Sequence, residues 1–198
     1  MKTLSKITLV ALVISAVSFT GCKKGEGDPF LSLKSRKARV AGEWKMTKGE
    51  GTHSEIFAST TFNSTITYDG NVETTVTTSS AGSATTTDKY NSEMTFEKDG
   101  TFSSVYTDNN GSPSVITNSK GNWNFTSGVG EMKNKSQIII YITETTTGSS
   151  TSTFTGSDRP TMVYDLYQLK GKEIILHDLG TQSSGSSNTD IKWTLEPK

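Results

Sequence analysis

The sequence predicts an all-β domain: an antiparallel up-and-down meander of about eight to ten strands, preceded by one short helix. Three observations carry this. Apolar and polar residues alternate with a period of two over most of the chain after Trp44. Turn-forming pairs and runs, such as Asp69-Gly70, Lys98-Asp99-Gly100 and Lys170-Gly171, separate these stretches. The four prolines, Pro29, Pro113, Pro160 and Pro197, fall at element ends, where they break no ladder. A meander of this size closes into a β-barrel, which removes exposed edges. A two-sheet β-sandwich is the alternative, because it gives the same alternation.

The chain begins with an export leader, residues 1–21. Lys2 and Lys6 supply its positive start, and Ile7 to Val17 is an uncharged, mainly apolar run. Eleven residues of helix would rise only about 16 Å, short of a hydrocarbon core of roughly 30 Å. The run is therefore a cleaved signal and not a span. Ser18-Phe19-Thr20-Gly21-Cys22 follows and resembles the lipobox of bacterial lipoproteins, with Phe19 where Leu is usual. That resemblance implies cleavage before Cys22 and acylation of its thiol. The alternative is an ordinary signal peptide that leaves a free thiol. Two or more acyl chains anchor stably where one binds only marginally. Lys23 stands where an inner-membrane retention Asp is found in some Gram-negative bacteria, so the resemblance implies the outer membrane.

Without the leader, 198 − 21 leaves 177 residues, carrying 18 basic and 20 acidic side chains. That balance gives no support to nucleic-acid binding, which needs a basic surface. Cys22 is the only cysteine, so no internal disulfide can form and the core alone must hold the domain. Residues 22–27 form a polar tether, and residues 28–198 form the domain.

Asp28-Pro29 reads as a helix start, with a cap followed by proline at the first helical position. Phe30, Leu33 and Val40 share one face, and Lys34, Arg36, Lys37 and Arg39 crowd the rest. The basic residues form a solvated face or touch anionic head groups. Alternation begins at Gly42-Glu43-Trp44. Ile56, Ala58, Thr60, Phe62, Ser64, Ile66 and Tyr68 line one side of a long strand, and Asp69-Gly70 turns it into a return strand with Val72 and Val76. Between Ser59 and Asp88, 16 of 30 residues are Ser or Thr, a strand-forming but poorly buried composition. Tyr90, Ser92, Met94 and Phe96 alternate inward, followed after a turn by Phe102, Ser104 and Tyr106. Trp123 and Phe125 mark another strand. Gln137 to Thr147 is the most apolar strand, with Ile138, Ile140 and Ile142 on one side and Ile139 and Tyr141 on the other, and reads as covered on both faces. Met162, Tyr164, Leu166 and Gln168 form one face of the next. Glu173 to Leu176 and then Ile191, Trp193 and Leu195 complete the meander.

The short helix, Gly42-x-Trp44 opening the first strand, the hairpin Phe96-Glu97-Lys98-Asp99-Gly100-Thr101-Phe102 and a final strand with Trp193 resemble lipocalins. They are most similar to the lipocalin-like domain of small Gram-negative lipoproteins. The resemblance implies a barrel that binds a small, largely apolar molecule. It also implies a basic residue late in the chain packed across the first-strand Trp, for which Lys192 is the nearest substitute. Trp44, Trp123, Trp193, Phe62, Ser64, Phe96 and Ser104 are the candidates for barrel closure or pocket lining, although each Trp also suits plain core packing.

No catalytic spacing is present: His53 and His177 are the only histidines, and no HExxH, CxxC, GxSxG or P-loop pattern occurs. His177-Asp178 is a pair of acid/base residue types in a strand, where a structural role is commoner. Asp108-Asn109-Asn110-Gly111 has oxygen ligands but lacks the rest of a calcium loop and reads as a hairpin turn. No metal or cofactor is implied. The reading is a non-catalytic, membrane-anchored lipoprotein that binds a small molecule. The alternative is an interaction or accessory lipoprotein whose barrel is filled by its own side chains, with a protein partner on the Thr-rich hairpin.

Overall fold

The structure, a computed structural model, describes residues 35–126, 137–181 and 187–198. The leader, Cys22, the tether and the expected helix start at Asp28-Pro29 lie outside the described residues. The described helix, α1, is Arg36–Val40; its cap is Ser35, whose Oγ accepts from the Ala38 amide at 3.1 Å.

Eleven antiparallel strands follow, one more than the upper end of the expected count: β1 (Gly42–Phe57), β2 (Thr60–Tyr68), β3 (Val72–Ser79), β4 (Gly82–Phe96), β5 (Thr101–Asp108), β6 (Val115–Thr126), β7 (Gln137–Thr147), β8 (Ser150–Thr153), β9 (Thr161–Lys170), β10 (Glu173–Thr181) and β11 (Ser187–Pro197). Two features differ from the sequence reading, one a boundary and the other the added strand. The expected long strand from Ile56 to Tyr68 is cut by a two-residue turn at Ala58 and Ser59, with φ of 49° and 70°. Both angles suit the turn that follows strand twist, but neither residue is the Asn or Gly that usually signals it. The second feature is β8, a short strand of Ser and Thr paired only with β7.

The hydrogen bonding is ring-like. At the helix end, Gly42 to Lys45 of β1 pairs with Glu93 to Phe96 of β4, and the circuit runs on through β5, β6, β7, β9, β10 and β11 back to β1. Further along, the circuit loosens in two places. The β2–β3 hairpin enters between β1 and β4, starting at the Tyr68–Glu73 pair. On the far side, β9 and β10 stop pairing beyond Asp165 and His177. The interior therefore widens away from α1, since a ring's diameter grows with its strands.

The alternation read from sequence matches β2, where Thr60, Phe62, Ser64, Ile66 and Tyr68 are the more buried set, and β4, where Tyr90, Ser92 and Phe96 are buried. In β9 the reading fails at one residue. A bulge at Tyr167 shifts the register, so that Leu169 pairs with Ile174 in the core and Gln168 pairs with Ile175 on the other face. In β7, Ile138, Ile140 and Ile142 are buried, whereas Ile139 and Tyr141 are only half-buried, and Arg159 stacks over Tyr141 at 5.5 Å. One face is thus core and the other a lightly covered exterior.

The core lies at the helix end. Val40, Phe96, Phe102, Ile138, Ile140, Leu169, Ile174, Leu176 and Leu195 are almost wholly buried there. Side chains of this size contribute roughly 1.5–3 kcal/mol each on full burial. Rings interlock by edge: Phe96 meets Trp123 at 5.4 Å and 86°, and Trp123 meets Phe125 at 5.5 Å and 79°. Helix α1 is seated on this end by its own basic residues. Arg39 Nη1 donates to the Leu169 carbonyl at 2.8 Å, and Lys37 lies 5.7 Å from the Trp123 ring.

Candidate binding site

Above the packed core the interior opens into a solvent-connected cavity of about 430 Å³. Its floor is Met46 and Ser92, both buried. Its walls come from both places where the circuit loosens. The tip of the inserted hairpin brings Glu73, next to Asp88 across the β3–β4 ladder. Tyr164 and Asp178 come from the opposite side, each one residue beyond the last β9–β10 pair. Tyr90, Tyr106 and Trp193 complete the lining.

The aromatic residues form a continuous row along the inner face. Tyr68 stacks on Tyr90 at 4.7 Å with a 13° tilt, and Tyr90 meets Tyr106 at 5.1 Å. Trp193 contacts Tyr68 edge-on at 6.4 Å. The row needs Gly49. Gly49 pairs with both Tyr68 and Trp193, and a Cβ there would lie 2.3 Å from Cζ3 of Trp193. Only a residue without a side chain lets the indole lie across β1. The Asp69-Gly70 tip is fixed by Asp69 Oδ1, which accepts from the amides of Asn71 at 3.0 Å and Val72 at 2.8 Å. Those bonds hold the Asp69 carboxyl below the usual carboxylate range.

Hydrogen bonds position the polar groups. The Tyr68 hydroxyl donates to the Tyr90 carbonyl at 3.0 Å, and the Tyr90 hydroxyl donates to Glu73 Oε2 at 2.7 Å. Burial pushes the Tyr68 phenol up to about 12, helped by the charge of Asp69. Burial also pushes Tyr164 up to about 12, helped by Asp178. Tyr90 is raised by burial and then by its bond to Glu73, and Tyr106 by burial and then by Asp108. All four phenols therefore remain protonated donors at neutral pH. Burial raises the Asp178 carboxyl, against a smaller opposing pull from His177.

Beyond the cavity the inner face is lined with hydroxyls in cross-strand pairs: Ser64 with Thr77 at 2.8 Å, Thr117 with Thr147 at 2.9 Å, and His53 Nδ1 with Thr189 at 3.0 Å.

Of the residues selected from sequence, Trp193 lines this cavity. Trp44, Phe96 and Trp123 are buried in the core. The Trp44 indole donates to the Val40 carbonyl at 2.8 Å, and that of Trp123 to the Glu97 carbonyl at 2.9 Å, so both tie the helix end together. Phe62 borders a separate shallow recess with Thr77 and Ala84, and Ser104 a small one with Trp44 and Met94. Lys192 does not cover Trp44; it lies outside, 4.2 Å from the Tyr167 ring. Trp44 borders a recess that is also lined by Arg39 of α1 and by Lys198.

Sequence reasoning missed Glu73, Asp88 and Asp178 as inward groups. A faint signal was available, since Glu73 has the inward parity set by Tyr68 and leaves Val72 and Val76 facing out. His177 and Asp178 face opposite sides of β10, and His177 bonds Asp190 at 2.6 Å instead. The Asp108–Gly111 segment is a turn in which Asp108 Oδ1 accepts from the Asn110 amide at 2.8 Å. Among the described residues no cluster suited to a metal ion occurs.

No family model, curated protein or solved structure matches this chain.

Proposed function

We propose that this chain is a non-catalytic lipoprotein of the outer membrane, anchored through acylated Cys22, whose strand ring is a lipocalin-like barrel that holds a small molecule with a largely apolar body. The observation that carries the binding reading is the cavity. Its volume of about 430 Å³ falls in the range of roughly 300–1,000 Å³ usual for small-molecule sites. Its surface pairs aromatic walls with a few oriented polar groups, the composition such sites share. A side-chain-filled interior would instead continue the dense packing found at the helix end. The anchoring reading rests on the leader and on Gly21-Cys22.

The test is native mass spectrometry of the chain purified from its own membranes. A discrete added mass, beyond the acyl groups and lost on denaturation, is expected. Protein that carries no such mass and shows no saturable binding of a small-molecule probe would overturn the reading.

A further inference from the structure

We propose that the cavity takes an organic cation: a small molecule bearing an amine or quaternary ammonium on a flat or aliphatic body. This rests on the binding reading above and names the ligand's chemical class.

Three features of the cavity point the same way. First, its charges have one sign. Glu73, Asp88 and Asp178 reach it from three different strands, and no Lys or Arg lines it among the described residues. Second, carboxylates elsewhere on the ring have lysine partners. Lys48 meets Glu50 at 2.7 Å, Lys120 meets Glu144 at 2.7 Å, and Lys198 meets Glu93 at 2.6 Å. Asp178 has no such partner among the described residues, and the histidine beside it in sequence is turned to the other face and bonded to Asp190. Third, the remaining walls are Tyr90, Tyr106, Tyr164 and Trp193. Aromatic faces attract a cation through their quadrupole, and the attraction grows as water is excluded.

The physical contrast between ligand classes is direct. A neutral apolar ligand would displace water from Asp178 and leave the carboxylate without a partner, which is costly. An anion would meet three like charges. A cation supplies the missing counter-charge at Asp178 and Glu73 while its body rests on the tyrosine and tryptophan rings. The Tyr90–Glu73 hydrogen bond at 2.7 Å already fixes one carboxylate, so the site is partly ordered before binding.

The experiment uses the full chain in a neutral maltoside detergent and three probes with one phenol-ethyl body: tyramine, N-acetyltyramine and 3-(4-hydroxyphenyl)propionate, titrated by calorimetry. Tyramine is expected to bind saturably, and the neutral amide at least about tenfold more weakly, the scale of one hydrogen bond to a charged group. Asp178→Asn and Glu73→Gln should each weaken tyramine by a similar factor and leave the amide's binding unchanged. Equal binding of tyramine and the amide, or tighter binding of the propionate, overturns the cation assignment and leaves the cavity reading standing. Tyramine binding that neither substitution changes overturns the assignment of these carboxylates. Failure of all three probes to bind overturns the cation assignment, and the cavity reading falls with it only where the native protein also carries no added mass.

Discussion

Asp178 is placed against its own chemistry: burial raises its pKa, with only a smaller opposing pull from His177. Its folded pKa lies above its unfolded one, so between those values the folded state holds more protons. This group's contribution therefore worsens as pH rises through that window and is least unfavourable at acid pH. Asp178→Asn should raise the denaturant midpoint at pH 7, and its advantage should shrink toward pH 4. An advantage equal at both pH values, or a loss at pH 7, would show that burial does not dominate there. Trp44 shows the opposite relation between residue and surroundings: it is 4% exposed and its indole is bonded to Val40. Trp44→Ala should cost about 3–5 kcal/mol, the usual range for a large buried aromatic. An unmoved unfolding midpoint would contradict its place in the core.

At the scale of elements, the β1–β2 turn is unusual in using Ala58 and Ser59 at positive φ. Left-handed backbone costs roughly 1–2 kcal/mol for a residue with a side chain. Replacing the pair together, Ala58→Asn with Ser59→Gly, should stabilise the domain by about 1–2 kcal/mol, measured by denaturant midpoint. A loss of stability would mean that the turn does not adopt these angles. The same turn explains why one strand was expected where two exist. Alternation continues in phase from Ile56 through Ala58 to Thr60, and no turn chemistry interrupts it. A strand with strong contrast, such as Tyr90 to Phe96, was readable because burial of the wrong face would be costly, whereas Gln137 to Thr147, apolar on both sides, hid which face is the core. In the Thr-rich strands the contrast is weak, since threonine serves either face. The bulge at Tyr167 was illegible for a related reason: Leu166, Gln168 and Leu169 permit either register until Ile174 and Leu176 choose one.

For the whole molecule, one end is built for stability and the other for access. The buried aliphatic and aromatic residues gather near α1, and the carboxylates and hydroxyls gather where the circuit widens. An all-β meander was legible from alternation and turns alone. The site was less so, because it depends on which distant strands meet: Glu73 and Asp178 are 105 residues apart, and only the ring puts them in one cavity. The proposed membrane attachment concerns the whole chain and has its own test. Cys22→Ser should remove incorporation of labelled fatty acid and shift the protein out of the membrane fraction. Label entering the Cys22→Ser variant would show that the anchor lies elsewhere.

The longest ladder of the ring joins its first and last strands. β11, the last strand, pairs with β1 along eleven residue positions, from Trp44–Pro197 to Glu55–Ser187. Everything between must be present before that ladder can form, and contacts so distant in sequence are slow to close. A chain emerging amino end first therefore cannot complete its ring while any part of β11 is still held elsewhere. On the export reading proposed above, this delay is useful. On that reading the polypeptide stays threadable until β11 has emerged, and the ring closes only then. The same timing leaves β1 and β10 with open edges until the end, which is when they are most exposed to pairing with a neighbouring chain.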